Sequence, residues 1–327
     1  MNVQDVKKIL VVGAGAMGEG IVQSFAQAGL EVVLVDIKKR PEGSENESLD
    51  RCRRQIEANL VLMKEYDLIS EDILSVMSRI DYRHMGNMNG IETVLDDIDY
   101  VVESVPENLD LKRDLFSKLE EGLRSNVIIS SNTSSLTVNE LAEGMKNPER
   151  FVGLHYFYPS HIIPLVEIHG GNETAEYAIN LSKSLMDSVG KKPIIVKKVL
   201  PGLIVNRIQA AYNREIAYLL DEGVASAEDL DLAAMASYGF RLSCLGPLEI
   251  HDLNGLDVVM KAGGRVRSTL YNGTESAPSL VKRVESGELG VKTGKGWHDY
   301  TGRSREEVLN RSNRRMLKVL QTFNGLN

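Results

Sequence analysis

His155 and Glu167 stand twelve residues apart. They close what read as two short apolar strands, Phe151-Val152-Gly153-Leu154 and Ile162-Ile163-Pro164-Leu165-Val166. An imidazole is the side chain best suited to move a proton near neutral pH. A carboxylate beside it sets the ring tautomer and stabilises the protonated form. The pair therefore reads as a general acid/base with its orienting group. His161 and His169, at turns of the same segment, are its rivals, but neither has a carboxylate in as suggestive a position. His84 reads as a solvated loop residue and His251 as a surface one.

A proton-moving pair needs something to react with, and the N-terminus supplies a candidate. The apolar run Ile9-Leu10-Val11-Val12 leads into Gly13-Ala14-Gly15-Ala16-Met17-Gly18, and a helical pattern follows through Ile21, Val22, Phe25 and Ala26. A second strand, Glu31 to Val35, ends at Asp36. In such a strand–turn–helix unit Gly13 permits the tight turn, Gly15 lets backbone approach a pyrophosphate, and Gly18 lets helix and strand pack closely. The helix N-terminus offers unpaired N–H groups to the phosphates. Asp36 is placed to accept hydrogen bonds from the adenosine ribose and to repel a 2′-phosphate. Gly13, Gly15, Ala16, Met17, Gly18 and Asp36 are thus the expected cofactor contacts. NAD is favoured over NADP, although Lys38, Lys39 and Arg40 lie near; FAD is a lesser competitor.

Further strands are expected over Tyr100 to Val102, Asn126 to Ile129 and Pro193 to Val196. The first two open into polar segments, Glu103 to Asn108 and Ser130 to Ser135, at the strand ends where open α/β sheets bind ligands. Thr137 and Glu140 have capping-box spacing. Leu49 to Ile80 reads as a helical hairpin covering the sheet. After Pro201-Gly202 the pattern turns helical: Leu203 to Leu220, Ala227 to Met235, Gly255 to Met260, Ser279 to Val284 and an amphipathic tail from Ser304 to Phe323. The loop Leu289 to Trp297 lacks the hydroxyl residue of a phosphate-binding loop and reads as structural. The expected architecture is α/β: a Rossmann-like, mostly parallel sheet over 1–196 and a smaller helical domain over 197–327.

The composition narrows the class. The chain has 327 residues, and its formal charge of −8 argues against binding nucleic acid through phosphate neutralisation. No apolar run reaches membrane-spanning length. Cys52 and Cys244, far apart and outside any metal-ligand spacing, suit a reducing cytosol and predict no metal site.

Several motifs together resemble the (S)-3-hydroxyacyl-CoA dehydrogenase family: Ser131-Asn132-Thr133-Ser134-Ser135-Leu136, Gly153-Leu154-His155-Tyr156-Phe157, Leu165-Val166-Glu167, Pro201 to Arg207, Gly246-Pro247-Leu248-Glu249 and Lys292 to Trp297. The resemblance implies an NAD-dependent oxidoreductase of fatty acid metabolism that interconverts 3-hydroxyacyl-CoA and its 3-keto form. It gives His155 the acid/base role, Glu167 the orienting role, and Ser134 and Asn206 contacts to the reacting end of the substrate. It also implies cofactor contacts at Glu107 and Lys112, a neighbouring role for Asn132, and a homodimer formed through the helical domain. Three departures bear on the substrate, one of them Arg241-Leu242-Ser243-Cys244-Leu245-Gly246-Pro247, which differs from the family's usual approach to the Gly-Pro pair. Tyr158 and Pro164 stand where acyl-CoA members commonly have asparagine and lysine. The Ile163-Pro164-Leu165-Val166-Glu167 wording looks like relatives that oxidise short free hydroxy acids such as carnitine or gulonate. A non-catalytic NAD-binding structural protein is the alternative of another class.

Overall fold

The computed structural model describes residues 2–326. It divides into one compact unit up to Ile204 and a second from Val205. The first unit is built on eight strands: β1 (Lys8–Val12), β2 (Glu31–Asp36), β3 (Ile80–His84), β4 (Tyr100–Glu103), β5 (Ile128–Ser131), β6 (Phe151–Tyr156), β7 (Leu165–His169) and β8 (Lys192–Ile195). They form one sheet in the order β3-β2-β1-β4-β5-β6-β7-β8. Every pairing is parallel except β6 with β7.

Strands β1, β4 and β5 are buried and flanked on both sides, which is why they read as continuous apolar runs rather than alternating ones. Their alternate residues feed two cores. Ile9, Val11, Tyr100 and Val102 face one, shared with α1 (Ala16–Gln27), α2 (Glu45–Glu65) and, through Val76, α3 (Ile73–Ser78). Leu10, Val12, Val101 and Ile129 face the other, covered by α4 (Leu109–Gly122) and α5 (Val138–Ala142). Helix α6 (Glu176–Ser188) adds Ala178, Leu181, Leu185 and Met186 to the first core. Thr137 and Glu140 close the expected capping box at the start of α5.

Three local expectations change. The segment from 49 to 80 holds α2 and α3 but ends in β3, an edge strand of sequence IDYRH whose only buried residue is Ile80; so polar a strand carries almost no apolar signal. His84 therefore closes a strand instead of sitting in a loop, and its Nε2 lies 3.0 Å from the Lys38 carbonyl oxygen. The residues Ile162, Ile163 and Pro164 precede β7 as a turn. Pro193 sits in β8, at the sheet edge where a missing donor is tolerated.

The second unit is helical: α7 (Val205–Asp221), α8 (Ala227–Ala236), α9 (Tyr238–Leu242), α10 (Pro247–Asn254), α11 (Leu256–Arg267), α12 (Pro278–Glu285) and α13 (Arg305–Leu326). The short α9 and α10 were not evident from periodicity. The loop ending at Trp297 closes on itself through Gly290–Lys295 bridging, with the Arg283 guanidinium 4.6 Å from the Trp297 ring centroid. The division between units falls at Ile204. One reason is a tether: the Ile204 N–H donates to Glu167 Oε1 at 3.0 Å, holding the chain beyond β8 to the sheet.

Candidate active site

The carboxyl edge of the sheet organises the site. Beyond the last paired residues the ladder continues into the loops: Gly13 N–H donates to the Val35 carbonyl, Ser104 N–H to Val12, and Asn132 N–H to Glu103, all within 2.7–2.8 Å. The glycine turn is shaped by contacts that leave no room. Gly13 has φ of +119°, and a Cβ on it would lie 2.3 Å from the Ser104 carbonyl oxygen. A Cβ on Gly18 would lie 1.9 Å from the Gly13 carbonyl oxygen. Gly15 is the opposite case. It caps α1 without a side-chain acceptor, and a Cβ there would meet nothing within 4 Å. With Ala16 it is exposed, while Met17 is half-buried, its carbonyl taking a hydrogen bond from Ser160. A helix N-terminus open in this way, with a carboxylate at the end of β2, fits the pyrophosphate and ribose of NAD. Asp36 is 5% exposed at the side chain and paired with Arg40.

A buried polar frame supports the next loops. Lys112, fully buried on α4, places its ammonium 2.9 Å from Glu103 Oε2 and 3.0 Å from Glu107 Oε2. Glu107 Oε1 in turn accepts from the Thr133 hydroxyl and from the N–H groups of Ser134 and Ser135. Burial alone would raise the Glu107 carboxyl, but the Thr133 hydroxyl, the Lys112 ammonium and the Ser135 N–H hold it down to about 2. Lys112 thus lies beneath the loop as its support, and Glu107, at its surface, gathers the backbone around Ser134. Asn132 bridges two strand ends: its Oδ1 accepts from Tyr156 N–H at 3.1 Å and its Nδ2 donates to Ser104 Oγ at 3.3 Å. The part played by Glu103 was missed in the sequence, because nine residues of separation from Lys112 match no periodicity.

Strand β6 runs past that edge. Gly153 pairs with Ser131, so His155 projects two residues beyond the parallel ladder. The chain then reverses, and β7 returns antiparallel with Glu167 directly opposite His155. His155 Nδ1 lies 2.8 Å from Glu167 Oε2. Glu167 is fully buried and His155 is 5% exposed. The Phe157 ring centroid is 4.5 Å from that of His155, with the two rings tilted at 56°. With both carboxylate oxygens engaged, one by His155 and one by Ile204 N–H, Glu167 holds the ring in one orientation.

The reversal between β6 and β7 is held from below by Lys191, whose Nζ donates to the carbonyls of Ser160 and Ile163 at 2.5 and 3.1 Å. Burial pushes this ammonium down to about 8. The same loop touches α1: a Cβ on Gly20 would lie 2.3 Å from Ser160 Oγ. Neither Lys191 nor Gly20 stood out in the sequence. The rival histidines are kept neutral. Burial lowers both His161 and His169 to about 4, and the Lys191 ammonium adds to it for His161. His169 lies over Gly153, and among the described residues neither of its ring nitrogens has a hydrogen-bond partner. Ser134 is exposed in the loop after β5, and Asn206 lies in the first turn of α7 in the other unit. Among the described residues no group of three or more His, Cys, Asp or Glu is placed to hold a metal ion.

The sequence model for the NAD binding domain of 3-hydroxyacyl-CoA dehydrogenase matches residues 8–199, and that for its C-terminal domain matches residues 202–300. The chain is 34% identical to a 3-hydroxybutyryl-CoA dehydrogenase of Clostridioides difficile, over 90% of this chain and 99% of that protein. It is 27% identical to a 5-formyl-3-hydroxy-2-methylpyridine 4-carboxylate 5-dehydrogenase of Mesorhizobium japonicum, over 98% and 99%. The crystal structure of a 5-dehydrogenase of that pyridine carboxylate, an NAD+-dependent dismutase, superposes with a TM-score of 0.86 at 27% identity, over 98% of this chain and 100% of the other. The (S)-3-hydroxybutyryl-CoA dehydrogenase of Ralstonia eutropha gives 0.69 at 32% identity, over 90% and 99%.

Proposed function

The chain belongs to the 3-hydroxyacyl-CoA dehydrogenase family and is an NAD-dependent oxidoreductase, and we propose that it interconverts a 3-hydroxyacyl-CoA and its 3-keto form with His155 as acid/base and Glu167 as orienting group. The observation that carries this reading is the 2.8 Å contact between His155 Nδ1 and Glu167 Oε2, made across one register pair of β6 and β7. With the Nδ1–H donated to the carboxylate, Nε2 keeps its lone pair for the substrate hydroxyl. NAD, when bound, supplies the hydride acceptor. As the O–H proton passes to Nε2, the oxygen electron pair forms the C=O bond and the hydride leaves the carbon. Glu167 stabilises the imidazolium that results, and in reduction the same ring returns the proton. The burial of His155, 5% exposed, limits water around the ring. We extend the proposal to Ser134 and Asn206 as donors to the substrate, on their motifs alone. The test is NADH oxidation with acetoacetyl-CoA. Turnover that disappears in His155→Gln, with NADH binding retained, is the expected result. No turnover on acyl-CoA of any length would sink the thioester reading.

A second reading takes a free hydroxy or heteroaromatic carboxylic acid as substrate. It is favoured by Tyr158 and Pro164 and by full-length similarity to a pyridine-carboxylate dehydrogenase. Tyr158 is 57% exposed. The same assay with free acids decides between the two: whichever class shows the higher kcat/KM is the substrate class.

We also propose a homodimer through the helical unit. The only buried apolar side chains of that unit among the described residues are Leu230 and Leu317, whereas Leu232, Met235, Phe240, Leu248, Leu253 and Met260 are each 63–75% exposed. So many exposed apolar side chains in one unit support the reading that a partner covers part of it. No helix among the described residues is long and apolar enough to cross a membrane. Cys52 and Cys244 are both free, which suits the cytoplasm as the place of the reaction.

A further inference from the structure

At the end of β2 the Asp36 carboxylate is already satisfied by its own chain. Oδ1 accepts the Lys38 N–H at 3.0 Å. Oδ2 accepts Arg40 Nε at 3.1 Å and Arg40 Nη2 at 2.9 Å. The same Nη2 reaches Ser48 Oγ on α2 at 2.8 Å. The guanidinium is therefore held at the strand end by two anchors, with its side chain 26% exposed.

This arrangement changes what the carboxylate can do. An unpaired carboxylate at this position binds ribose hydroxyls and repels a 2′-phosphate. Paired with Arg40, its charge is largely compensated. Lys38 and Lys39 add two further cations beside it. A guanidinium is also the group best shaped to take two phosphate oxygens at once. We propose that Arg40 determines cofactor specificity at the adenosine end: it shields Asp36 and offers its own fork to a 2′-phosphate, so that the protein binds NADP as well as NAD. When the 2′-phosphorylated dinucleotide binds, the fork turns from Asp36 to the phosphate and Ser48 keeps its second anchor. When NAD binds, Asp36 takes the ribose hydroxyls.

The experiment is a titration of the full-length protein with NADH and with NADPH, followed by nicotinamide fluorescence. It needs no substrate, so its outcome is separate from that of the substrate assay. The wild type is expected to bind NADPH within about a hundredfold of NADH, and Arg40→Gln to weaken NADPH about tenfold or more while NADH moves less than about threefold. Retained NADH affinity shows that the variant is folded. Salt should weaken NADPH more than NADH in the wild type, and this excess should shrink in Arg40→Gln. Equal changes for both cofactors in Arg40→Gln, or no measurable NADPH binding by the wild type, overturn the proposal. So does a Lys38→Gln/Lys39→Gln variant that loses NADPH while Arg40→Gln keeps it.

Discussion

At the scale of single residues, the site depends on a hydrogen bond that neither partner could hold alone. Glu167 is fully buried, so its ionised form relies on the groups that reach it, His155 and Ile204 N–H among them. Glu167→Gln keeps the shape but can stabilise the wrong imidazole tautomer and leaves the imidazolium without a counter-charge. We expect kcat to fall by about 10³- to 10⁴-fold, with NADH affinity unchanged in the same preparation. A loss smaller than tenfold would show that the carboxylate does not orient the base. Arg40 offers a contrast at this scale: its effect is on which dinucleotide binds and not on the chemical step.

At the scale of elements, the loops that carry these residues are held by buried charge and close backbone contact. Glu107 collects the loop 133–136, and Lys112 beneath it fixes Glu107. Glu107→Ala should cost about 1–3 kcal/mol of stability, because several donors lose one acceptor, and should raise the exchange rates of the Ser134 and Ser135 amides. Unchanged exchange there would mean the loop is held by its other bonds. The glycine turn is more rigid still. With a Cβ on Gly18 placed 1.9 Å from the Gly13 carbonyl oxygen, Gly18→Ala must push α1 away from the turn that follows β1. Dinucleotide affinity is expected to fall at least about tenfold, since the helix N-terminus moves with it. Calorimetric titration with NADH measures this directly.

At the scale of the whole molecule, buried histidines set an acid limit on stability. Half-buried His161 and fully buried His169 are lowered from 6.5 to about 4 in the fold, by burial first and, for His161, by the Lys191 charge as well. The unfolded chain therefore binds more protons between those two values. Stability is complete above pH 6.5 and falls as pH drops toward 4, by of order 2–3 kcal/mol per ring. Urea midpoints across that range should show the slope, and His169→Asn should flatten it. A wild-type midpoint independent of pH there would contradict the neutral buried rings. Lys191 acts at the other end. Its pKa is lowered from 10.5 to about 8 in the fold, so between those values the unfolded chain binds more protons and stability contributed by this group rises with pH. In the helical unit Leu253→Asp, at a residue 70% exposed, should convert a dimer to monomers in sedimentation. A wild type that sediments as a monomer removes the dimer proposal.

Much of this was legible in the chain because it depends on short-range pattern. The run into Gly13, the acidic end of β2 and the helical periodicity after Pro201 each follow from local sterics and burial, and they specify the α/β unit and the helical unit before any contact is known. The pairing of His155 with Glu167 was inferable as a suggestion, from two residue types beside apolar runs and from motif resemblance. What the sequence could not reveal depends on partners distant in the chain. The edge strand β3 has too polar a pattern to announce itself. Lys112 gives no sign of lying fully buried between two glutamates. The antiparallel return of β7 puts Glu167 mid-strand and opposite His155, and a one-residue slip there would send the carboxylate to the other face of the sheet. Local propensity is written residue by residue, whereas register, burial and charge pairing are set only when strands and helices pack.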